Sequence, residues 1–346
     1  MKADDAIDVR PCPDCYLCGT PGRELYTGLL DMVFAIPGSW TLKQCPNTAC
    51  NLVWLDPVPL EEEILKAYRN YYTHGSNGPS DLFYQVGHQI YSLVDDPIAR
   101  LTGIRESRNQ LSIMHLSNEV APGRLLEIGC GSGEFLMRMQ ALGWEVQGVD
   151  FDALAVTHCK QLGLDVECGD LQSVRYPSNH FDAITMNHVI EHLFDPRETL
   201  KECRRVLKPG GRLVVVTPNP LSRGHRQFGA SWRGLEPPRH IHLFSPDNLR
   251  KLADDAGLSN VETYSTAAHA EIIWNGSLVI QEMTRNRNDQ KRKNIPIGVF
   301  SRVRRFASAL VAQYREHHAL DRHPAEGEES VLVAHKMKDS GSVDTP

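Results

Sequence analysis

The run Leu125-Leu126-Glu127-Ile128-Gly129-Cys130-Gly131-Ser132-Gly133 constrains this chain more than any other segment. An apolar strand, predicted over Arg124 to Ile128, empties into glycines that open a helix predicted over Glu134 to Leu142. Glycine turns the backbone tightly and, lacking a Cβ, lets a ligand approach the main chain. The N–H groups at the start of the helix favour an anionic or electron-rich group. Asp150 stands twenty-one residues after Gly129, at the end of a second predicted strand, Glu145 to Val149. A carboxylate there can accept hydrogen bonds from both hydroxyls of a ribose.

The same residues separate two kinds of nucleoside ligand. A dinucleotide fingerprint needs its third glycine three positions after the second, where this chain has Glu134; the third glycine comes early, at Gly133. Glu127 also sets a carboxylate at the mouth of the loop, where it would repel a pyrophosphate and attract an ammonium. Both features favour S-adenosylmethionine (SAM) over NAD. Around the loop, strands and helices alternate: a helix over Ala153 to Leu162, a strand over Asp182 to Asn187, a helix over Asp195 to Leu207, a strand over Arg212 to Thr217, and a helix opened by Ser245 and Pro246. Asp195, Pro196 and Glu198 punctuate the second of these helices as cap, first residue and capping-box partner, and Pro209-Gly210-Gly211 should end it. Such alternation predicts an α/β fold with a parallel sheet and helices on both faces.

Residues 124 to 219 resemble a class I SAM-dependent methyltransferase. The matching pieces are the glycine loop, Gly148-Val149-Asp150, Gly169-Asp170-Leu171, Phe181-Asp182-Ala183-Ile184, Val189-Ile190-Glu191-His192-Leu193 and Leu207-Lys208-Pro209-Gly210-Gly211, in that order. The resemblance implies a Rossmann-like seven-stranded methyltransferase sheet whose last strand is antiparallel, a role that Ser330 to Lys336 suits. It implies cofactor contacts by Glu127, Gly129, Gly131 and Gly133, ribose binding by Asp150, adenine contact near Asp170 and Leu171, and a cofactor-facing segment at Asn187 and His188.

Five of the nine cysteines fall in the first fifty residues. Cys15-x-x-Cys18 and Cys45-x4-Cys50, with 26 residues between them, offer four thiolates in two close pairs, which suits tetrahedral zinc (Zn2+). Cys12 with Cys15 is a competing first pair, but Gly19 permits the tight turn that Cys15 and Cys18 require. Some methyltransferases of this class carry a similar N-terminal zinc region followed by a segment like Leu52-Val53-Trp54-Leu55-Asp56-Pro57, and there the module is structural or frames the acceptor pocket. The expected layout is a small zinc-ribbon-like module at 11–58, a helical linker or cap at 59–121, a SAM-binding core at 122–270, a helical insertion at 271–328 and a final strand at 329–338.

Methyl transfer to oxygen or carbon calls for a base, and histidine is the usual one. His192 follows the fourth core strand, where ligands bind in open α/β sheets. In related quinone-pathway O-methyltransferases the matching segment has two glutamates and a histidine able to hold a divalent cation; here His188 replaces the first glutamate. The plainer alternative is that Glu191 and His192 satisfy backbone groups. Within Trp232 to Ser245, His240 is the preferred base, and it would share a face with His242 if the segment were extended. A role for His240 in holding its loop stays open.

Net charge is −6 and charged residues make up 23% of the chain, which argues against broad nucleic-acid affinity. Arg285 to Arg305 carries eight Lys or Arg, and Val299, Val303, Phe306 and Leu310 follow at helical spacing. This is either an insertion covering the active site or a helix that touches anionic lipid through 285–310. The acidic N-terminus has no apolar stretch, so the chain reads as cytoplasmic. The expected activity is methyl transfer from SAM to an oxygen or carbon of a small molecule. The alternatives are a zinc-containing scaffold with a vestigial methyltransferase fold, and an RNA or protein methyltransferase.

Overall fold

The computed structural model describes residues 6–68, 99–100, 102–116, 121–288 and 299–338. The aromatic residues Tyr71 and Tyr72, much of the 59–121 segment and the tail from 339 onward lie outside the described residues. In chain order the strands are β1 (Val9–Arg10), β2 (Arg23–Leu29), β3 (Trp40–Gln44), β4 (Val53–Leu55), β5 (Val58–Pro59), β6 (Arg124–Ile128), β7 (Glu145–Asp150), β8 (Asp165–Cys168), β9 (Phe181–Asn187), β10 (Leu207–Pro218), β11 (His242–Leu243), β12 (Ser259–Thr266) and β13 (Glu329–His335). The chain divides into two units.

The first comprises Ser112–Thr217, Pro246–Thr263 and Val331–Pro346 and carries most of a seven-stranded sheet of order β12-β13-β10-β9-β6-β7-β8. The five strands from β10 to β8 pair in parallel. Backbone bonds from Gly210 N–H to Lys336 O and from Asn219 N–H to Glu328 O show β13 running opposite to β10, as expected of the last strand. The central strands read as near-continuous apolar runs because both faces are covered; Leu125, Leu126, Ile184 and Val214 are fully buried. Connections between parallel strands of one sheet are right-handed as a rule. The helices Glu134–Ala141 and Ala153–Gln161, leading outward to β8, therefore lie on one face. Pro196–Val206, leading from β9 to β10, lies on the other, packed against Pro246–Asp255. Asp195 caps its helix as the sequence suggests, its Oδ1 accepting from Glu198 N–H at 3.1 Å. Pro209-Gly210-Gly211 does not end that helix, which stops at Val206; the three residues instead form an irregularity inside β10, between Leu207 and Arg212.

The second unit comprises Met1–Leu111, Pro218–Ser245 and Tyr264–Ser330. Its four-stranded antiparallel sheet has the order β11-β4-β3-β2. β11 arrives from almost two hundred residues downstream of β4, pairing His242 with Trp54 and Leu243 with Val53. Leu42, Leu55, Trp232, Leu235 and Leu243 form one core beneath it. Arg239, 0% exposed, ties the same downstream segment to the N-terminal part, bonding Asp31 Oδ2 and Glu236 Oε1 at 2.9 Å each and stacking 4.3 Å from the Phe34 ring centroid. The helical segment expected from residue 59 onward begins with a 3-10 helix at Glu61–Tyr68. Late in the chain the helices Ala270–Asn288 and Val299–Ala319 pack on each other.

Candidate functional site

The glycine loop joins β6 to its helix through Gly129, Gly131 and Gly133, with φ of 71°, 50° and 75°. These lie in the left-handed region that side chains avoid. A Cβ on Gly129 would sit 2.4 Å from Val189 Cγ2, and one on Gly133 would sit 2.5 Å from Leu164 Cδ1, so both positions also lack room for a side chain. Asp150, at the end of the neighbouring β7, is 7% exposed. Its Oδ2 accepts from Gly131 N–H at 2.8 Å and its Oδ1 from Asp152 N–H at 2.9 Å. The carboxylate therefore braces the glycine turn while keeping lone pairs available. Burial raises its pKa against the pull of those two N–H groups.

Glu127 is the least ordinary residue of this cradle. It is 6% exposed, and its Oε2 has no hydrogen-bond partner among the described residues. Burial, reinforced by the Asp150 charge, pushes its carboxyl well above the usual carboxylate range. An orphaned buried carboxylate is costly unless a cation or donor meets it. An ammonium beside Glu127 and a ribose at Asp150 would satisfy both acids.

Further along the strand ends, Asn187 is exposed at the end of β9, and His188 follows with φ of 54°, its N–H donating to Val216 O at 2.9 Å. Glu191 is fully buried; its Oε2 accepts from the Thr217 hydroxyl at 2.9 Å and its Oε1 lies 3.3 Å from His188 Nδ1. Glu191 thus ties the exit of β9 to the end of β10, and Thr217 is a residue that sequence reasoning missed. His192 is half-buried on the 3-10 turn Ile190–His192. Asp170 caps the short helix Leu171–Val174, its Oδ1 accepting from Ser173 N–H at 2.7 Å, and Leu171 is buried behind it.

In the other unit, Cys15, Cys18, Cys45 and Cys50 come together. Cys15 Sγ lies 3.6 Å from Cys50 Sγ, Cys18 Sγ lies 3.5 Å from Cys45 Sγ, and all four sulfurs fall within 4.8 Å of one another. Tetrahedral zinc with Zn–S bonds of about 2.3 Å separates its sulfurs by about 3.8 Å, so the set fits one ion. Gly19, with φ of 70°, turns the first pair. The wider second pair is turned by Asn51, with φ of 51°, while Asn47 O accepts from both Cys50 N–H and Asn51 N–H at 2.9 Å. Asn51 thus does for the four-residue gap what Gly19 does for the two-residue one. Cys12 stands apart, its N–H donating to Asp56 Oδ1 at 2.6 Å.

The histidine segment of this unit is not extended throughout; only His242–Leu243 is strand. The His242 ring packs 5.0 Å from that of Tyr16. His240 sits in the preceding turn, 4% exposed, and its Nδ1–H donates to Gly234 O at 2.7 Å. That bond leaves the lone pair of the neutral ring on Nε2. Among the described residues no helix is long and apolar enough to cross a membrane.

A family model described as a methyltransferase domain matches residues 87–263. A ubiquinone biosynthesis O-methyltransferase from Cereibacter sphaeroides (strain ATCC 17029 / ATH 2.4.9) is 33% identical over 175 residues, covering 47% of this chain and 70% of that protein. A probable S-adenosylmethionine-dependent methyltransferase from Mycolicibacterium smegmatis is 29% identical over 192 residues, covering 50% of this chain and 75% of that protein. Among solved structures, a SAM-dependent methyltransferase from Archaeoglobus fulgidus is 19% identical, with a TM-score of 0.43 over 66% of this chain and 94% of that one. The family match spans the glycine loop, Asp150 and both strand exits, and the chain belongs to the methyltransferase-domain family as a SAM-dependent methyltransferase.

Proposed function

We propose that the protein transfers the methyl group of SAM to a hydroxyl oxygen of a small molecule, with a carbon acid as the related alternative. The observation that carries this reading is the buried, unpartnered Glu127 carboxylate at the end of β6, beside a glycine turn braced by Asp150. SAM supplies an electrophilic methyl group, so the chain's own task is to hold, orient and deprotonate. Glu127 would take the ammonium of the methionine moiety, and Asp150 the ribose. Gly129, Gly131 and Gly133 keep the backbone free of side-chain bulk. Asp170 and Leu171 would flank the adenine, and Asn187 and His188 would face the reacting end. The name of the Cereibacter relative supports an oxygen acceptor.

His240 is the base in this reading, since the bond to Gly234 presets the tautomer that accepts at Nε2. His192 is the second choice. The four cysteines would hold one structural zinc, an arrangement suited to the reduced thiols of a cytoplasmic setting. Residues 11–58 then serve as the zinc module and 122–270 as the core, with 271–328 as an insertion ahead of the last strand. Calorimetry with SAM and its demethylated product, followed by a methyl-transfer screen over phenols and other hydroxylated small molecules, tests the assignment. His240→Ala should cut turnover about 100-fold or more while leaving SAM affinity within about twofold, as expected for a lost general base. Unchanged turnover removes His240 from the chemistry, and absence of SAM binding by the native protein overturns the whole reading.

A further inference from the structure

A cavity of about 970 Å³ opens in the second unit beside the helices Arg223–Phe228, Ala270–Asn288 and Val299–Ala319. Its lining includes Arg223, Arg226, Arg304 and Arg315, together with Trp274 and Glu316. Arg226 is paired with Glu326 at 2.5 Å. Beside that pair the cavity is lined by Arg223, whose charge acts on Glu316, and by the exposed Arg304 and Arg315, so it carries a surplus of guanidinium groups. Guanidinium forks match the oxygens of a phosphate in pairs and hold it more firmly than they hold water.

Two further groups make this more than a basic surface. Glu316 is 1% exposed and lines the cavity. Its Oε2 accepts from Trp274 Nε1–H at 3.2 Å, while its Oε1 is buried with no hydrogen-bond partner among the described residues. Trp274 is itself held edge-on by Phe228, with ring centroids 4.9 Å apart, so its indole is a fixed platform. Burial and the nearby Glu328 carboxylate push the Glu316 carboxyl up to about 9. The shift favours the protonated form and so lessens the negative charge this carboxyl adds beside the arginines.

We propose that this cavity binds a phosphorylated small molecule, its phosphate held by Arg304, Arg315 and Arg223 and its organic part against Trp274, which Glu316 holds in place from behind. The site is additional to the methyl-transfer reading and does not rest on it. The shared chemistry is a phosphate monoester or diphosphate, which a soluble metabolite or a lipid headgroup could present. The test uses the full chain with glucose 1-phosphate, inorganic pyrophosphate, unphosphorylated glucose and vesicles containing phosphatidic acid.

Calorimetry should show glucose 1-phosphate and pyrophosphate binding while glucose does not. The exposed-arginine variant Arg304→Gln/Arg315→Gln should weaken both at least tenfold. Trp274→Ala, which removes the indole platform, should weaken glucose 1-phosphate more than pyrophosphate. Flotation with the vesicles, lost in the same double variant, would identify a lipid headgroup as the source of the phosphate. A double variant that binds every phosphate probe as well as the native chain overturns the proposal. So does a native chain that binds neither the soluble phosphates nor the vesicles. Circular dichroism and retained SAM affinity check that the variants remain folded.

Discussion

The glycine cradle and the cysteine cluster each gather a few chemical groups around a small volume, but the chain reaches them by different routes. Glu127, Gly131 and Asp150 lie within 24 residues, on two parallel strands paired in register from Arg124–Glu145 to Ile128–Val149. The sheet that carries them is buried on both faces, so its own apolar strands supply its core. The four cysteines lie on two turns at one end of a small antiparallel sheet, and that sheet is completed only by β11. In the cradle the ligand is a guest of a finished structure. In the cluster the ion would be part of what folds it.

The comparison can be broken most directly at the cysteines. Cys45→Ser should reduce zinc from about one ion per chain to almost none, because structural sites of this kind contribute about 10 kcal/mol or more of binding free energy. Elemental analysis and thermal melting would read the loss. Retained zinc with an unchanged melting temperature would show that the thiols are not ligands.

Asp150→Ala should be the next largest effect. Losing hydrogen bonds to a charged acceptor costs about 1.5–3 kcal/mol each, so SAM affinity should fall about 100-fold or more while zinc content stays constant. A variant that loses zinc as well would show that the two sites are not separable.

A subtler effect follows from Glu127. Its carboxyl is raised by burial, so it holds a proton at pH values where an ordinary carboxylate would be ionised. An ammonium beside it favours the ionised form, so SAM binding should release a proton. Affinity should climb with pH up to the raised pKa and level off above it, changing by up to about tenfold per pH unit below it. Calorimetry in buffers of different ionisation enthalpy would detect the released proton, and Glu127→Gln should remove both the release and the slope. A pH-independent affinity in the native protein would rule out this role.

The smallest expected effect sharpens the comparison from the zinc side. Asn51→Val puts a β-branched residue at φ of 51° and should cost about 1–2 kcal/mol of stability, whereas Asn51→Gly should be close to neutral. Equal stability of the two variants would mean that the second turn does not depend on the left-handed backbone.

Much of the cradle was legible in the sequence because its parts are near one another and each leaves a local mark. Glycines stand where φ is positive, Asp150 ends a strand, and Asp195 and Pro196 open a helix as their chemistry predicts. The end of that helix was misread. Pro209-Gly210-Gly211 carries a stop signal, but the chain had already left the helix at Val206, and the same glycines serve as an irregularity in β10. A turn signal tells that the backbone bends and not which element it bends within.

What the sequence determined by itself was the set of positions governed by backbone conformation and short spacing: the glycine turn, its carboxylates and the two cysteine pairs. Tertiary structure alone decided the rest. β11 completes the N-terminal sheet, Arg239 reaches back to Asp31, Thr217 meets Glu191, and Glu316 lies against Trp274 inside a ring of arginines. The partners in these pairs are 26 to 208 residues apart and obey no helical or strand period, so nothing in the local pattern marks them. They exist because burying apolar surface brings distant segments together, and a buried polar group must then find a partner among whatever arrives.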